Sequence, residues 1–499
     1  MKKYLLLFLL LTVFGVLYFY IPSKPFENSP ASDKDKFISI SDKTFIKNGQ
    51  PFFPIILNYI ASIQTNKTEF WASPTKAYSI DSRHKDTIKE TCLMQLKADM
   101  QLIKELGFNS VRIVGIGEEY IIDEVTGELG FGSAIGNIKD TTWLLSKKEN
   151  YDKYLSAISE LLQIVDGAGL KTILLLRMSV DVKNTEQHLG KVAEYFKNDT
   201  SILAIDVFNE PLYFDKPERS KQVVYEKMKE WKQIIKNSSP HRLVTIGLTG
   251  VREVMEWDPN ILDVDFISYH PYEYEPEQVR NEMFWYGKYV KKPWIIGETA
   301  VPADNDSVSY DIQKIFAEQT IQQAYNCGAM GYSWWQYKDV NWHHFHADFM
   351  GMLNLRGITK TKNDLTVEGT IKPVAQAIKE FNSTVQKGKC ECYDNYYNYS
   401  MKNDFRLTGK IIDKNGTPVD GAIVLGWNQY WSSSYHTVSK TDGTFELRGS
   451  YPFYHWMVSA TQHSMVRGDV LPDTAKSNDG IPTINLGVLN LEKLSFLKE

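Results

Sequence analysis

The stretch ILAIDVFNE, residues 202–210, is a largely apolar run that ends in a glutamate and is followed by Pro211. A short apolar run bounded by a turn-forming residue is typical of a strand that is buried on both faces. Proline cannot donate a backbone hydrogen bond to a neighbouring strand, so we expect the strand to end at Glu210. The sequence therefore predicts a carboxylate at the point where a buried strand leaves the core.

Seven further runs of this kind occur along the chain. They are FFPIILN (52–58), NSVRIVG (109–115), KTILLLR (171–177), RLVTIGL (242–248), VDFISYH (264–270), PWIIGE (293–298) and GYSWWQY (331–337). Longer stretches with helical periodicity separate the runs, and two of these stretches end at or near glycine, a common helix stop. Eight alternating βα units predict an α/β fold, a closed (β/α)8 TIM barrel, rather than an open doubly wound sheet. No G-x-G-x-x-G motif follows the first strand, so a nucleotide-binding fold has no support in the sequence.

The C-terminal part of the chain has a different pattern. After a Tyr- and Asn-rich stretch come short runs that alternate in polarity: FRLTGKIID, AIVLGWN, TVSKTDGTFELRG and HWMVSATQ. Alternation with Asn-Gly and Asp-Gly turns predicts a small antiparallel β-sandwich. We therefore expect a barrel domain over 38–388, a linker over 389–404 and a β-sandwich domain over 405–499.

The N-terminus and the composition limit the cellular context. Lys2 and Lys3 precede an apolar stretch from Tyr4 to Ile21, which predicts a signal peptide or membrane anchor within residues 1–24. We therefore expect an extracytoplasmic protein that is secreted or anchored to the membrane. The formal net charge is −5 without a long basic run, so nothing favours nucleic acid as a partner. Four cysteines are too few for a disulfide scaffold, and their pairing cannot be read from the sequence.

Polar and aromatic residues stand where the predicted barrel strands end. They are Asn58, Arg112, Arg177, Asn209 with Glu210, His270 with Tyr272, Glu298, and Trp335. The C-terminal ends of the strands line the active face of a TIM barrel. The stability of a barrel does not require such residues at one rim, so the sequence predicts that they come together at the open end, or mouth, of the barrel.

Glu210 and Glu298 are the candidate catalytic pair, because they close the fourth and seventh predicted strands. Paired carboxylates suit glycosidic bond cleavage, in which one is a protonated acid for the leaving oxygen and the other an ionised nucleophile. Arg112 would hold one glutamate ionised by its charge, and Tyr272 would help by hydrogen bonding. Both are expected to line the substrate site.

The remaining rim residues are candidate substrate contacts. Asn209 is placed to bind a sugar hydroxyl, His270 stands at the same rim, and Trp335 offers a flat face to a pyranose ring. Structural alternatives stay open: Glu210 as a helix cap or ion-pair residue, and Arg112 as an ion pair that ties the barrel together. Trp335 has the alternative of filling the core, since SWWQY holds two tryptophans and one must point away from the mouth.

Several of these stretches also resemble a known family. FNEP (208–211) and IIGETA (295–300) look like the acid/base and nucleophile motifs of clan A glycoside hydrolases, closest to the family 5, cellulase-like group. FIKNGQPFFPIILN, GFNSVRI, SYHPYEY and GYSWWQYKD resemble its first, second, sixth and eighth strands. The resemblance implies a retaining double displacement on a β-linked oligo- or polysaccharide, without a cofactor. It further implies Glu298 as nucleophile and Glu210 as acid and then base, with carboxyl groups ~5–5.5 Å apart.

This chain departs from the family pattern at the third strand. Many members carry a histidine at its end, where this sequence supplies Arg177, so a specificity cannot be borrowed from them. The long, aromatic-containing loops after the first and second strands are expected to shape the cleft. The C-terminal part resembles the carboxypeptidase regulatory-like domain, a transthyretin-like sandwich, and this resemblance assigns no catalytic residue.

Two rival functions stay open at this point. A transglycosylase would use the same glycosyl-enzyme intermediate, and a non-catalytic carbohydrate-binding surface protein would use the same mouth. His343, His344 and His346 lack the spacing of a known zinc motif, so we expect no metal there and interpret them, with Trp342, as residues that line a sugar subsite. The sequence does not specify the sugar, the linkage, internal or terminal cleavage, or the oligomeric state.

Overall fold

The computed structural model describes most of the chain. The described residues are 36–66, 68–80, 88–116, 120–122, 129–131, 142–143, 148–176, 180, 184–214, 218–273, 275–472 and 479–497. The apolar N-terminal segment, Arg177 and most of the loop after the second barrel strand therefore lie outside the described residues. Within the described ranges, no helix is long and apolar enough to cross a membrane.

Eight strands form the central sheet of the molecule. They are β1 (Ile55–Thr65), β2 (Ser110–Val114), β3 (Lys171–Leu175), β4 (Ile202–Asn209), β5 (Leu243–Thr249), β6 (Phe266–His270), β7 (Trp294–Ile296) and β8 (Tyr332–Trp334). They are hydrogen-bonded in the order β7-β6-β5-β4-β3-β2-β1-β8, and every neighbouring pair is parallel. The ends of this order meet, because the Ile296 amide donates to the Gly331 carbonyl at 3.1 Å and the Met330 amide to the Trp294 carbonyl at 2.8 Å. The predicted (β/α)8 barrel is confirmed.

A helix follows each barrel strand. The seven longer ones are α1 (Lys89–Glu105), α2 (Lys148–Gly167), α3 (Thr185–Tyr195), α4 (Lys221–Ser238), α5 (Pro276–Tyr289), α6 (Tyr310–Asn326) and α7 (Val374–Glu380). The crossover from β5 to β6 differs, since it carries only the 3-10 helix Val251–Met255. Further short helices are Lys76–Tyr78, Pro211–Phe214, Phe345–Asp348 and Asp394–Tyr397.

Small strands outside the barrel close its N-terminal end and extend its loops. The strands Ser39–Ser41, Thr44–Lys47 and Gln50–Phe52 form an antiparallel sheet. From this sheet the fully buried Phe45 packs edge-on against Phe266 at the start of β6, with ring centroids 5.2 Å apart. The other small strands are Phe70–Pro74, Tyr120–Ile122, Leu129–Phe131, Thr142–Trp143, Ile358–Lys360 and Thr366–Glu368. Because the bottom of the barrel is plugged, the opposite end is left for the site.

The first barrel strand is longer than the sequence predicts. It continues past Asn58 to Thr65 and then pairs antiparallel with Phe70–Pro74, while its pairing with β2 covers only 56–60. Asn58 therefore still lies at the rim. The loop expected to shape the cleft here instead sends Trp71 and Tyr78 into the core, where they are 4% and 5% exposed.

The C-terminal part forms two sheets. Its strands are β9 (Phe405–Asp413), β10 (Ile423–Trp427), β11 (Ser434–Val438), β12 (Thr444–Gly449), β13 (His455–Ser459), β14 (Met465–Asp469) and β15 (Thr483–Leu491). One sheet has the order β12-β9-β15 and the other β11-β10-β13-β14. The pair β9 and β15 is parallel, which corrects the prediction of a purely antiparallel arrangement. Buried residues of both sheets, such as Leu407 and Val424, share one hydrophobic cluster.

The C-terminal sheets, which we call the C-terminal module, pack where the barrel lacks a crossover helix. Strands β10 and β13 contact the 3-10 helix Val251–Met255. Ile423 and Val438 of the module belong to the same hydrophobic cluster as the barrel core. The buried Lys221 Nζ binds Asp258 at 3.1 Å and donates to the Ala460 carbonyl of the module at 2.9 Å. The module therefore covers a wall of the barrel.

The segment predicted as a linker is fixed to the barrel. A disulfide joins Cys327, just after α6, to Cys390. Asn281 of α5 donates to Asn395 at 2.6 Å and accepts from the Tyr393 amide at 2.9 Å. Cys92 is buried and Cys392 exposed, and neither forms a disulfide.

Candidate active site

Glu298 follows β7 and is nearly buried, with 5% of its surface exposed. Its Oε1 accepts a hydrogen bond from Arg112 Nη1, and its Oε2 accepts one from the Tyr272 hydroxyl at 3.1 Å. Burial raises the pKa of Glu298 and outweighs the charge of Arg112 and the hydrogen bond from Tyr272, which both lower it. The arrangement supplies a carboxylate with a buried countercharge and a second donor.

Arg112 of β2 connects four side chains of the rim and has no exposed surface. Besides Glu298, it donates from Nε to Asp206 at 2.8 Å, from Nη1 to Asn58 at 3.1 Å and from Nη2 to Asn209 at 2.7 Å. Asp206 has no exposed surface either, and it forms a second buried ion pair with the guanidinium. The guanidinium is therefore fixed in position whether or not Glu298 carries charge.

Asn58 and Asn209 are held by this guanidinium in different ways. Asn58 Nδ2 faces the Gly297 carbonyl at 2.9 Å and Ser333 Oγ at 2.8 Å, so its amide ties β1 to the ends of β7 and β8. Asn209 uses Oδ1 for Arg112, which only donates hydrogen bonds. The NH2 group of Asn209 is thereby oriented away from Arg112 and is the part of the side chain that can donate to a ligand.

Glu210 directly follows β4 and has a strained backbone conformation. Its φ is 47°, a region that few residues other than glycine adopt, and its amide donates to the Gly247 carbonyl at 2.9 Å. The carboxylate is 13% exposed, and its Oε1 lies 2.9 Å from His270 Nδ1. The strand therefore places this glutamate at the edge of the cleft and His270 fixes its orientation.

His270 is fully buried between the two glutamates and the barrel interior. Burial lowers its pKa to about 4, so the ring is neutral near pH 7. A neutral imidazole has one donor and one acceptor. Donation from Nδ1 to an ionised Glu210 leaves Nε2 to accept from Ser268 Oγ, which lies 3.2 Å away.

Two glycines make room for this ring. A Cβ on Gly247 would lie 2.6 Å from His270 Cε1, and a Cβ on Gly297 would lie 2.6 Å from Nε2. Both distances are too short for a side chain at either position without displacing the histidine. Gly247 belongs to β5, and Gly297 directly follows β7 and precedes Glu298. Both segments that flank β6 therefore lack a side chain where the His270 ring lies.

The two carboxyl groups lie close together. One ligand atom each from Glu210, His270 and Glu298 lies within 4.8 Å of the other two. An upper limit of 4.8 Å between the nearest carboxylate oxygens fits the close pair of a retaining enzyme, ~5–5.5 Å, rather than the ~6.5–9.5 Å that leaves room for a water in inverting enzymes.

The two adjacent tryptophans at the end of β8, Trp334 and Trp335, have separate roles. Trp334 is fully buried and donates to the Met350 carbonyl at 2.9 Å, whereas Trp335 is only partly buried. The amide of Trp335 donates to the Thr299 carbonyl at 3.1 Å, which holds it beside Glu298. Trp334 is therefore the tryptophan that fills the core.

The structure brings most of the predicted rim residues together but changes how some of them act. Arg112 and His270 have no exposed surface, so they contact the glutamates rather than a bound sugar. Arg177 lies outside the described residues. Sequence reasoning missed Asp206 and Ser268; the signal for Asp206 was a charge inside an otherwise apolar strand, which needs a buried partner.

The three histidines after β8 lie on the surface. His343, His344 and His346 are exposed, as is Trp342 at 47%. Among the described residues, the groups whose atoms are close enough to hold a metal ion do not include these histidines.

Comparison with known proteins supports the chemistry of this site. The sequence profile described as Cellulase (glycosyl hydrolase family 5) matches residues 66–338. The chain belongs to glycosyl hydrolase family 5. Family 5 enzymes are retaining β-glycosidases, so this protein is a retaining glycoside hydrolase with a carbohydrate substrate. No curated protein sequence matches the chain.

Solved structures that are similar to the chain include three glycoside hydrolases. GH5_18 from Streptomyces cattleya with GlcNAc is 14% identical over 64% of this chain and 79% of its own, with a TM-score of 0.44. Exo-β-1,4-mannosidase Op5Man5 from Opitutaceae bacterium strain TAV5 is 16% identical over 68% and 61%, with a TM-score of 0.47. β-Mannanase from the blue mussel Mytilus edulis is 16% identical over 71% and 98%, with a TM-score of 0.42. These similarities do not identify the substrate of this chain.

Proposed function

We propose that in this family 5 glycosidase Glu298 is the nucleophile and Glu210 the acid and then the base. One observation carries the assignment. Glu298 is bound by the Arg112 guanidinium and the Tyr272 hydroxyl, whereas Glu210 faces a neutral imidazole at 2.9 Å. Two carboxyl groups in different environments, with oxygens within 4.8 Å, match the two roles of a double displacement.

In the first step, Glu298 attacks the anomeric carbon while protonated Glu210 gives its proton to the leaving glycosidic oxygen. The bond from the anomeric carbon to that oxygen breaks and a glycosyl ester of Glu298 forms. In the second step, Glu210 takes a proton from water, the water oxygen bonds to the anomeric carbon, and Glu298 leaves as a carboxylate. Two inversions give net retention.

Arg112 and Asp206 act together in this scheme. Arg112 favours the ionised nucleophile, which burial alone would disfavour. When the ester forms, Glu298 loses its charge, but Asp206 still pairs with the guanidinium at 2.8 Å. The buried cation is therefore never left without a partner during the cycle.

The neutral state of His270 suits an acid catalyst beside it. A positively charged ring would favour the ionised form of Glu210 and so oppose its work as an acid. The neutral ring holds the carboxyl group by a hydrogen bond without adding charge. We assign His270 a positioning role and Asn209 and Trp335 direct contacts with the sugar.

The test is a screen of the wild type on β-glucan, β-mannan and β-galactan oligosaccharides beside Glu210→Gln and Glu298→Gln. We expect both variants to lose turnover, by at least about 10²-fold, on whichever substrate is active. NMR of the first-formed anomer should show retention. Wild-type turnover in both variants would remove this mouth as the active site, and an inverted product would remove Glu298 as nucleophile.

The setting of the enzyme is a second part of the proposal. We propose that it is exported, because the N-terminal stretch from Tyr4 to Ile21 has the composition of an export signal and the Cys327–Cys390 disulfide suits an oxidising compartment. We interpret the C-terminal module as a β-sandwich of the carboxypeptidase regulatory-like type. Cell fractionation tests the first point, since activity confined to the cytoplasm contradicts export.

A further inference from the structure

A second cluster of two carboxylates and an imidazole lies where the barrel meets the C-terminal module. It consists of Glu273 from the loop after β6, Glu282 from α5 and His436 from β11. One ligand atom from each lies within 4.8 Å of the other two. His436 Nε2 and Glu282 Oε1 are 3.6 Å apart, too far for a hydrogen bond. We call this group the junction cluster.

Two buried polar atoms of the junction cluster lack a hydrogen-bond partner in the described part of the chain. Glu282 is 1% exposed and His436 7%, yet Glu282 Oε1 and His436 Nε2 have no hydrogen-bond partner among the described residues. The other oxygen of Glu282 accepts from the Tyr269 hydroxyl. A buried polar atom without a partner costs about 1–3 kcal/mol, so two such atoms that face each other point to a ligand between them.

A cavity leads to the cluster from solvent. Its volume is about 520 Å³, and its walls include Glu273, His436, Tyr399, Gln278 and Arg252. The Tyr399 ring lies 4.5 Å from the His436 ring, and its buried hydroxyl also lacks a partner. An ion therefore has a path to the cluster and further polar groups beside it.

We propose that Glu273, Glu282 and His436 bind a divalent transition-metal ion, with Zn²⁺ as the representative case. One imidazole nitrogen and two carboxylate oxygens are a donor set that zinc takes in proteins, with a fourth position left for water. Arg252 adds positive charge from the cavity wall and would compete with the ion.

The site would join three parts of the chain. Glu273 directly follows Tyr272, which donates to Glu298, so an ion at the junction would fix the loop that carries a donor to the nucleophile. His436 would attach the module to that same loop. This inference does not depend on the catalytic roles proposed above, because ion binding can be measured without substrate.

The test uses the full chain freed of metal by chelation and dialysis. Titration with Zn²⁺ by calorimetry should show one ion per chain, and Co²⁺ should give visible d–d absorption bands. Glu282→Gln and His436→Gln should each weaken binding by at least about tenfold, since each removes a ligand. The matched control replaces the surface histidines with His343→Ala, His344→Ala and His346→Ala together, and should bind as the wild type does.

A folding control and a third ligand variant distinguish loss of the ligand from loss of the fold. Circular dichroism establishes that each variant is folded, and Glu273→Gln, at a partly exposed position, is the variant to use if His436→Gln does not fold. No binding by the wild type overturns the proposal. Binding that survives both Glu282→Gln and Glu273→Gln, or that is lost only in the triple histidine control, also overturns it.

Discussion

The molecule contains two clusters of the same composition, each with two glutamates and one histidine within 4.8 Å. In the catalytic cluster, both oxygens of Glu298 and both ring nitrogens of His270 have protein partners. In the junction cluster, Glu282 Oε1 and His436 Nε2 have no hydrogen-bond partner among the residues that the structure describes. Residue type and spacing alone therefore do not assign the chemistry; the surrounding donors and acceptors do.

This difference has a physical consequence for what each cluster binds. A carboxylate that already has a guanidinium and a hydroxyl as partners is fixed and ready to react with a substrate that enters beside it. A carboxylate and an imidazole that face each other at 3.6 Å, too far apart for a hydrogen bond, gain most from a cation between them. Both clusters involve the segment that follows β6, where Tyr272 serves the first and Glu273 the second.

Removing the buried guanidinium should have the largest effect on the catalytic cluster. We expect Arg112→Gln to lower kcat/KM by ~10²–10³-fold, because the nucleophile loses its countercharge. The loss also raises the pKa of Glu298, and since the nucleophile must be ionised, the acid limb of the pH–rate profile moves to higher pH. Arg356→Gln, which changes an exposed arginine, is the control. An unmoved acid limb would mean that Arg112 does not control ionisation of Glu298.

Stability should change in the same variant. Asp206 would be left buried and unpaired, which costs about 3–5 kcal/mol. Denaturant unfolding measures this loss. Activity should therefore be recorded where circular dichroism shows the variant to be folded.

Filling the space beside His270 should have the next largest effect. In Gly247→Ala the new Cβ would lie 2.6 Å from His270 Cε1, so the ring must shift and its contact with Glu210 must change. We expect kcat to fall about tenfold and the free energy of unfolding to fall by about 1–3 kcal/mol. Gly167→Ala is the matched control, because nothing lies within 4 Å of its added Cβ. Equal kinetics in the two variants would show that the position of His270 does not matter to catalysis.

Removing the Ser268 hydroxyl, which contacts His270, should have a smaller effect on catalysis. Ser268→Ala removes the group 3.2 Å from Nε2 and leaves that nitrogen without its donor, at a cost of about 1 kcal/mol. If that cost is expressed in the transition state, kcat falls about fivefold, with KM unchanged. The buried Ser459→Ala of the module serves as comparison. A rise in KM without a change in kcat would place Ser268 in ground-state binding instead.

In the junction cluster, replacing a glutamate should not lower the free energy of unfolding, in contrast to the substitutions in the catalytic cluster. In metal-free protein, Glu282→Gln replaces a buried carboxylate, whose Oε1 has no hydrogen-bond partner among the described residues, by an amide that can donate toward His436 Nε2, 3.6 Å away. We expect the free energy of unfolding to stay constant or to rise by up to about 1 kcal/mol, and kcat to stay within twofold of the wild type. A loss of several kcal/mol would show that Glu282 Oε1 has a structural partner in the protein, and the contrast between the clusters would disappear.

Much of the barrel could be predicted because its strands are buried on both faces and therefore appear in the sequence as short apolar runs. The rim residues could be predicted because they stand at the C-terminal ends of these runs. The partners of Arg112 could not be predicted, since Asn58 and Glu298 lie 54 and 186 residues away along the chain. The same holds for the burial of His270, which depends on glycines of two other strands, and for the Cys327–Cys390 pairing. The parallel pairing of β9 with β15 could not be predicted either. The two strands are far apart in the sequence, and turn residues indicate only the pairing of strands that follow one another.

The central claim is that Glu298 carries the glycosyl group during turnover. The most direct measurement is to incubate the enzyme with an activated 2-deoxy-2-fluoro glycoside of the sugar found in the screen and to locate the adduct by peptide mass spectrometry. We predict one added glycosyl residue per chain, on the peptide containing Glu298, and none in Glu298→Gln. An adduct on Glu210, or on neither glutamate although the enzyme is inactivated, would contradict the account.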